Sequence, residues 1–354
     1  MKQEIIDKIN RLANQDEPFL FVINYQGDKA FIRQLSDINP EECLFDFEGR
    51  GNSSDEMKNN SEKIAEISWQ IAPPLYEDYE RSFDIVKNNI MAGNSYLTNL
   101  TCKVPVSCNL SLEDIFHRAK GKYKLLLRRK RNLTPFVCFS PETFVRIKNR
   151  RIYSYPMKGT LDASLPDAEK QLMEDRKEAA EHATIVDLIR NDLSRVAENV
   201  RVDKYRYIDV LHTNKGDILQ TSSEISGRLP EDYQEHLGEI LDAQLPAGSI
   251  TGAPKDKTMQ IIHEAEGYDR GFYTGIMGIY DQGELNSAVM IRFIEEETSP
   301  VDFEADGKKN FKASEGMGDE ASRELYFKAG GGITSKSDCR KEYEEVIQKI
   351  YLPF

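Results

Sequence analysis

The chain has 354 residues, of which 39% are hydrophobic and 30% are charged, a composition typical of globular domains in water. No apolar run approaches the roughly 20 residues needed to cross a bilayer, which excludes a membrane protein. The formal net charge of −13 argues against a nucleic-acid partner, because phosphate binding depends on Lys and Arg. A small anionic substrate is still compatible, since its binding depends on a local cluster of cations.

The N-terminus and the cysteines indicate a cytoplasmic protein. The first residues, MKQEIIDKINRL, form a short amphipathic pattern without the apolar stretch or cleavage site of a secretory signal. The cysteines are odd in number and lack CxxC or metal-finger spacing, so we expect reduced thiols. They are Cys43, Cys102, Cys108, Cys138 and Cys339.

The first part of the chain predicts a hairpin, a loop, a helix and a strand. Residues 19–35 carry two apolar runs around a Gln-Gly-Asp turn, which predicts a hairpin. Residues 50–63 are polar and rich in Gly, Ser and Asn, which predicts a loop. Residues 76–92 show apolar positions at spacings of three and four, which predicts a helix ended by Gly93, and the strand YLTNLTCKVPV follows.

The remainder alternates between strand and helix patterns. Residues 295–322 are charged and interrupted by Gly and Pro, and we interpret them as an insertion or extended hairpin connection. The elements interleave without the short period of a βα barrel, which predicts one large α/β or α+β domain. The predicted β-rich segments are 134–157 and 206–229, and the predicted helical segments are 168–196, 231–243, 254–266 and 338–351.

Four blocks carry more than secondary structure: PMKGT at 156–160, EAAEHATIVDLIRNDLSR at 178–195, PAGSITGAPK at 246–255 and GGGITSKSDCRKEYEEVIQK at 330–349. Together and in this order they resemble the chorismate-utilising family. This family includes anthranilate synthase component I, aminodeoxychorismate synthase component I, and the isochorismate and salicylate synthases. The resemblance covers roughly residues 76–352.

The resemblance implies a fold like that of anthranilate synthase component I. We expect a single chorismate-binding domain over residues 1–354, with two antiparallel sheets packed face to face, helices outside, and an active-site cleft between the halves. Residues 76–352 would form the catalytic core, and residues 1–75 a shortened N-terminal portion. The tryptophan-binding Leu-Leu-Glu-Ser element of anthranilate synthases is not evident, so feedback inhibition by tryptophan is not expected.

Two pairs of glutamates suggest a metal site. Glu178 and Glu181 lie three apart on a predicted helix, as do Glu342 and Glu345, so each pair presents two carboxylates on one helical face. By spacing alone, such a pair is most often a solvated surface. The resemblance implies that all four hold Mg²⁺, which favours oxygen ligands and shares its coordination with an anionic substrate.

The resemblance assigns chemistry to Lys158 and Glu142. Lys158 in PMKGT stands where anthranilate synthases usually carry Ala and aminodeoxychorismate synthases carry Lys, and it would attack the substrate ring as a nucleophile. The attack would be aided by an amine that is unusually deprotonated beside Mg²⁺, Arg292 and Lys349. Glu142 in SPETF matches the general acid and base of the family. Without the resemblance, the lysine would be a surface amine and the glutamate a turn residue.

Further positions match substrate-binding residues of the family. Arg292 follows an apolar strand run and matches the arginine that grips a chorismate carboxylate, for which a planar guanidinium is well suited. The loop before Pro254 offers free backbone amides, and a run of glycines lets the backbone approach a ligand closely. The remaining matched positions are Tyr273, Gly275, Ser249, Gly252, Gly331, Gly332 and Lys349.

Other positions depart from the family or carry no chemistry. Gln220 stands where the family commonly has His, and Leu97 stands where isochorismate and salicylate synthases place a water-activating Lys. Leu97 cannot activate water, which argues against water as the nucleophile. We interpret the run DLIRND, with Asp187 and Arg190, as architectural, since alternating charge within an apolar helix implies paired buried groups.

The resemblance as a whole implies an aminodeoxychorismate synthase component I, a transaminase-type transferase that makes 4-amino-4-deoxychorismate for para-aminobenzoate and folate synthesis. Its substrates would be chorismate and ammonia, the latter supplied by a glutamine amidotransferase subunit in a heterodimer. Two alternatives stay open. One is anthranilate synthase component I, and the other is a family member that binds chorismate without turnover.

Overall fold

The computed structural model describes residues 1–53, 66–128, 133–213, 216–298 and 323–354. Eight α-helices and eighteen strands lie in these ranges. The helices are α1 (Gln3–Asn14), α2 (Tyr76–Met91), α3 (Leu112–Arg118), α4 (Ala168–Glu174), α5 (Arg176–Leu193), α6 (Leu237–Gln244), α7 (Lys255–Glu266) and α8 (Cys339–Gln348). The strands are β1 (Phe19–Ile23), β2 (Ala30–Gln34), β3 (Cys43–Phe47), β4 (Arg50–Gly51), β5 (Trp69–Ile71), β6 (Leu97–Cys108), β7 (Tyr123–Leu127), β8 (Phe136–Ser140), β9 (Thr143–Lys148), β10 (Arg151–Ser154), β11 (Met157–Asp162), β12 (Glu198–Thr213), β13 (Gly216–Arg228), β14 (Gly252–Ala253), β15 (Ile276–Asp281), β16 (Glu284–Val289), β17 (Phe293–Thr298) and β18 (Arg323–Thr334).

The strands form two sheets, and every pairing within the described ranges is antiparallel. The first sheet runs β11-β13-β10-β9-β16-β15-β1-β2, with β12 paired to β13. The second sheet runs β14-β6-β18-β17-β8-β7-β3-β4, with β5 paired to β6. The expectation of two antiparallel sheets is therefore confirmed.

The sheets pack face to face, and the side-chain alternation of β1 shows why. Leu20 and Val22 point into the core between the sheets, together with residues of β3, β7, β8 and β17 from the second sheet. Phe19 and Phe21 point the other way and pack against α1, α5 and α6, which cover the outer face of the first sheet. Helices α2, α3, α7 and α8 cover the outer face of the second sheet. Both faces of β1 are buried, so its sequence is an uninterrupted apolar run.

The N-terminal portion contributes strands to both sheets. Strands β1 and β2 extend the first sheet beside β15, whereas β3, β4 and β5 belong to the second sheet. The only tryptophan of the chain, Trp69, lies on β5, with its ring 6.3 Å from the ring of Phe327 in the second sheet.

Most predicted elements occur, with shifted ends. The hairpin at 19–35 is β1 and β2, and the helix predicted for 76–92 is α2. The helical stretch 168–196 is broken into α4 and α5 because the Asp175 side chain accepts from the amides of Lys177 and Glu178 and caps a new helix. The helix predicted for 231–243 begins only at Leu237.

Two predicted loop regions are only partly covered. Arg50 and Gly51 of the predicted loop 50–63 form β4, and most of the rest lies outside the described residues. The start of the predicted insertion 295–322 continues β17 as far as Thr298, and its remainder also lies outside them. In the described part of the chain, no helix is both long and apolar enough to span a membrane.

Candidate active site

The predicted site residues come from both halves of the molecule, and one group of them gathers around Lys158. Lys158 lies on β11 of the first sheet, and Glu178 and Glu181 lie on α5, which packs on that sheet. From the second half, β18 carries the glycine run, and α8 carries Glu342 and Glu345. Both pairs of glutamates lie near Lys158. The charges of Glu178 and Glu181 from one pair and of Glu345 from the other all act on its amine.

Lys158 forms an ion pair in this arrangement. Its Nζ lies 2.9 Å from a carboxylate oxygen of Glu181, and about a third of its side chain is exposed. Burial lowers the pKa of Lys158, but the carboxylates of Glu181, Glu178 and Glu345 outweigh burial, and the pKa is raised above that of a free lysine. In the arrangement seen here the glutamates favour a protonated amine. The expectation of an unusually deprotonated amine concerns the site with Mg²⁺ and stays a prediction.

For two of the four glutamates the charged form is disfavoured. Burial, followed by repulsion from Glu181, raises the pKa of Glu178, and burial with repulsion from Glu345 raises that of Glu342. Burial acts on Glu345 in the same sense, but Lys349, whose Nζ is 2.8 Å from its carboxylate, holds the pKa of Glu345 below the usual range. An additional positive charge nearby would therefore stabilise the charged forms of Glu178 and Glu342.

The donor chemistry of the four glutamates fits a hard divalent cation. They offer carboxylate oxygens from α5 and α8, and burial, the largest cause of the raised pKa values of Glu178 and Glu342, disfavours their charged forms in the absence of a nearby cation. Across the described ranges, however, no three His, Cys, Asp or Glu side chains already converge at metal-binding distance. Holding Mg²⁺ here would therefore require the carboxylates to come closer together.

Glu142 belongs to a second group of predicted site residues. It is half-buried, and its carboxylate accepts a hydrogen bond from Ser249 Oγ at 2.6 Å. Burial raises the pKa of Glu142, and the Ser249 hydroxyl and the nearby charge of Arg292 offset this only partly. A carboxyl that holds its proton in this way is suited to protonate a leaving oxygen.

Arg292 has a buried N–H donor without a hydrogen-bond partner among the described residues. It follows β16 with φ of +56°, a left-handed conformation, and its carbonyl accepts from the amide of Phe139 at 3.1 Å. Its Nε is buried and makes no hydrogen bond within the described residues. The guanidinium lies 5.6 Å from the ring centre of Tyr351, and Tyr273 is buried nearby, with Arg292 acting on its pKa. A guanidinium with a free N–H donor can bind a carboxylate.

The matched glycines fall into two groups. A Cβ at Gly252 would lie 1.8 Å from the carbonyl oxygen of Leu97, and one at Gly275 would lie 2.1 Å from that of Ile23, so close backbone packing explains both. A Cβ at Gly331 would instead meet Glu342 Oε2 at 3.5 Å and Lys349 Nζ at 3.6 Å. Gly331 therefore borders the charged part of the site.

The two departures from the family pattern also border the site. Gln220 on β13 pairs with Thr160 on β11, two residues beyond Lys158. Leu97 Cδ1 would lie 3.1 Å from a Cβ at Gly332, so an apolar side chain stands beside the glycine run.

The DLIRND run is only partly buried. Asp187 and Arg190 form an exposed ion pair at 2.6 Å, so the prediction of buried pairing is wrong for them, because they lie on the solvent face of α5. Asp192 is buried and pairs with Lys255 of α7 at 2.9 Å. This contact joins a helix on the first sheet to a helix on the second.

Two buried residues near the site were not predicted. Arg270 donates to the carbonyls of Ile250 and Asn99 and pairs with Glu266, which fixes the segment that carries Ser249. Nothing local in the sequence distinguishes it from a surface arginine. His182 is fully buried, with Nε2 2.7 Å from Ser223 Oγ, and its spacing from the buried Ile185 and Val186 of α5 was a signal that sequence reasoning could have used.

Comparison with known proteins identifies the family. A model described as chorismate binding enzyme matches residues 13–307. The chain belongs to this family. An "Uncharacterized PabA-like protein" of Haemophilus influenzae is 46% identical to this family member over 99% of this chain and 97% of the relative.

More distant relatives have named activities. The aminodeoxychorismate synthase component 1 of Salmonella typhimurium is 30% identical over 77% of this chain and 56% of its own length. The structure of anthranilate synthase component I from Streptococcus pneumoniae has a TM-score of 0.61 and 25% identity, covering 80% of this chain and 58% of the other. The fold and the family therefore agree.

Proposed function

We propose that this family member is an aminodeoxychorismate synthase component I, which converts chorismate and ammonia to 4-amino-4-deoxychorismate. The observation that carries the proposal is the position of Lys158, whose amine lies within the charged site between the two pairs of glutamates. The named activity of the Salmonella relative supports this choice among the activities of the family.

The residues suggest a reaction in two displacements. The neutral amine of Lys158 attacks C2 of chorismate, the ring double bond shifts, and the bond from C4 to its hydroxyl oxygen breaks. Glu142 gives its proton to that oxygen, which leaves as water. Ammonia then forms a bond to C4, the double bond shifts back, and the bond between C2 and the lysine nitrogen breaks, which frees Lys158.

The charged groups prepare these steps. Arg292, whose Nε has no hydrogen-bond partner within the described residues, would bind a carboxylate of the substrate. Mg²⁺ would neutralise the other carboxylate of the substrate. It would also balance the glutamate charges that raise the pKa of Lys158. The residues that would hold it are Glu178, Glu181, Glu342 and Glu345. Lys158 could then lose its proton, which the attack requires.

Ammonia would come from a separate glutamine amidotransferase subunit. Burial raises the pKa of all five cysteine thiols, so none has the activated thiolate that a glutaminase nucleophile needs. The "component 1" name of the Salmonella relative also fits a two-component enzyme.

The test is incubation of the purified chain with chorismate, Mg²⁺ and ammonium, followed by mass analysis of the product and a pyruvate assay. We expect aminodeoxychorismate and no pyruvate. Anthranilate with one pyruvate per turnover would instead establish anthranilate synthase component I, the activity of the Streptococcus neighbour. Chorismate binding without any product would establish a non-catalytic member.

A further inference from the structure

Among the described residues, Arg270 has the largest side chain that is fully buried. It lies in the turn between α7 and β15, and its guanidinium forms a two-point ion pair with Glu266, at 2.6 and 2.8 Å. Burying two charges costs free energy, and a buried ion pair can often be replaced by apolar residues without loss of stability. The pair is therefore weak evidence for stability, and its other contacts indicate a different role.

The remaining donors of Arg270 reach two backbone carbonyls. Nη1 donates to the carbonyl of Ile250 at 2.9 Å, and Nη2 donates to that of Asn99 at 2.7 Å. The carboxylate of Glu266 in turn accepts from the amide and the hydroxyl of Thr101, both at 2.8 Å. Asn99 and Thr101 lie on β6, so the ion pair connects α7, β6 of the second sheet and the turn that contains Ile250.

The backbone of Arg270 is held by a second buried ion pair. Lys328 Nζ donates to the carbonyl of Arg270 at 3.0 Å and lies 2.8 Å from the carboxylate of Glu295. Both side chains are buried, and they come from β18 and β17 of the second sheet. The second sheet therefore fixes both the main chain and the side chain of Arg270.

The turn that Arg270 holds also carries a contact to the proposed general acid. Ser249 precedes Ile250 in this turn, Gly248–Ile250, and its Oγ donates to Glu142 at 2.6 Å. A hydroxyl donates well only within roughly 2.5–3.0 Å of its acceptor, so a small displacement of the turn breaks this bond.

The hydroxyl of Ser249 affects the charge of Glu142. Burial raises the pKa of Glu142, and the hydrogen bond from Ser249 and the charge of Arg292 both act to lower it. The other titratable side chains that line the same cavity are Asp192, which pairs with Lys255, and Tyr155.

We propose that Arg270 is a positioning residue for the general acid: it joins the turn Gly248–Ile250 to the second sheet and thereby holds the Ser249 hydroxyl against Glu142. The inference rests on the proposed function for the acid role of Glu142, whereas the contact itself does not depend on it. A planar guanidinium has enough donors to bind a carboxylate and two carbonyls at once, which a lysine cannot do in the same geometry.

The test compares Arg270→Lys with Ser249→Ala. The lysine keeps a cation beside Glu266 but lacks the planar donors that reach the carbonyl of Ile250. Ser249→Ala removes the hydroxyl itself. Arg190→Lys is the matched control, because it makes the same exchange at an exposed position of α5.

The measured quantity is the pH at which the Glu142 carboxyl titrates. It is followed through the infrared band of the protonated carboxyl, which is assigned by its absence in Glu142→Gln, and it requires no turnover. We expect Arg270→Lys and Ser249→Ala to raise the pKa of Glu142 by the same amount, because both lose the hydroxyl contact. The double variant should show no further rise, and Arg190→Lys should match the wild type.

A folded Arg270→Lys in which Glu142 titrates as in the wild type would overturn the inference. An unchanged titration in Ser249→Ala would overturn it as well, since the hydroxyl would then have no effect on the carboxyl. If Arg270→Lys does not fold, Glu266→Gln replaces it, because this variant keeps the guanidinium but weakens its ion pair, and an unchanged pKa of Glu142 there would again contradict the inference. If the titrations behave as expected and the wild type forms no aminodeoxychorismate, the proposed function fails while the positioning role stands.

Discussion

Glu142 and Lys158 both hold their protons more firmly than free side chains, for opposite electrostatic reasons. Glu142 lies where burial disfavours the charged form, whereas Lys158 lies where carboxylates favour it. The sequence indicated both residues through the family resemblance, but it could not indicate their charge states. Those depend on Ser249, Arg292 and Glu345, which reach the site from distant parts of the chain.

Lys158→Ala should remove most ammonia-dependent turnover, because the first displacement loses its nucleophile. The wild type, given chorismate and Mg²⁺ without ammonia, should form an adduct on the peptide containing Lys158, measurable by mass spectrometry after acid quench. Lys177→Ala is the control, since Lys177 also approaches Glu181, at 3.6 Å, but is more exposed. Undiminished turnover in Lys158→Ala, with no adduct in the wild type, would reduce Lys158 to an electrostatic role.

Glu142→Gln should lower kcat by about 10²–10⁴-fold, the range of general acid catalysis, and at the same time stabilise the fold at neutral pH. A carboxyl with a raised pKa in the folded protein binds protons better folded than unfolded. Its contribution to stability is full below the unfolded pKa and is lost as pH rises through the folded pKa. Glutamine has no such loss.

The thermal midpoint of Glu142→Gln should therefore exceed that of the wild type at pH 7, and the gap should narrow as the pH falls toward the usual carboxyl pKa of about 4.3. Scanning calorimetry across this pH range measures the gap. Glu344→Gln, at an exposed position of α8, is the control and should show no gap. A gap that widened at low pH would contradict the raised pKa.

Glu345→Gln should raise the Mg²⁺ concentration needed for half-maximal activity by more than the roughly 10–100-fold typical of groups that only support metal ligands. The reason is loss of one of the four charges that would balance the ion. Glu344→Gln, one residue away on α8, again serves as the control. Equal magnesium dependence in the two variants would place Glu345 on the solvated surface.

At the scale of elements, the helices carrying the glutamate pairs followed from local spacing, and so did the hairpin of β1 and β2. The break between α4 and α5 did not, because it depends on the Asp175 cap within a continuous helical pattern. The packing role of Gly252 was equally hidden, since it comes from the pairing of β14 with Leu97 and Thr98 of β6.

Gly252→Ala should destabilise the protein by about 1–3 kcal/mol more than Gly267→Ala. Both glycines have positive φ, +122° and +66°, so both substitutions strain the backbone. Only at Gly252 does the added Cβ meet another backbone atom, 1.8 Å away, whereas at Gly267 nothing lies within 4 Å. Urea unfolding of the two variants measures the difference, and equal losses would show that the β14 contact relaxes freely.

At the scale of the molecule, two features connect the halves: the N-terminal portion, which has strands in both sheets, and an ion pair between outer helices. Residues of the N-terminal portion enter both sheets, with Phe19 of β1 paired to Tyr280 of β15, and the Asp192–Lys255 pair links the outer helices. Strand partners so far apart in sequence cannot be predicted from local patterns. The family resemblance anticipated the two sheets, but not the division of residues 1–75 between them.

The position of Trp69 has an optical consequence. As the only tryptophan, packed against Phe327 on the second sheet, it makes intrinsic fluorescence a report on that half alone, whereas far-ultraviolet circular dichroism reports on both. Because strands β1 to β5 tie the sheets together, we expect emission and dichroism to follow one denaturant curve. A loss of dichroism at lower denaturant than the change in emission would mean that the half carrying Lys158 unfolds while the half carrying Trp69 stays folded.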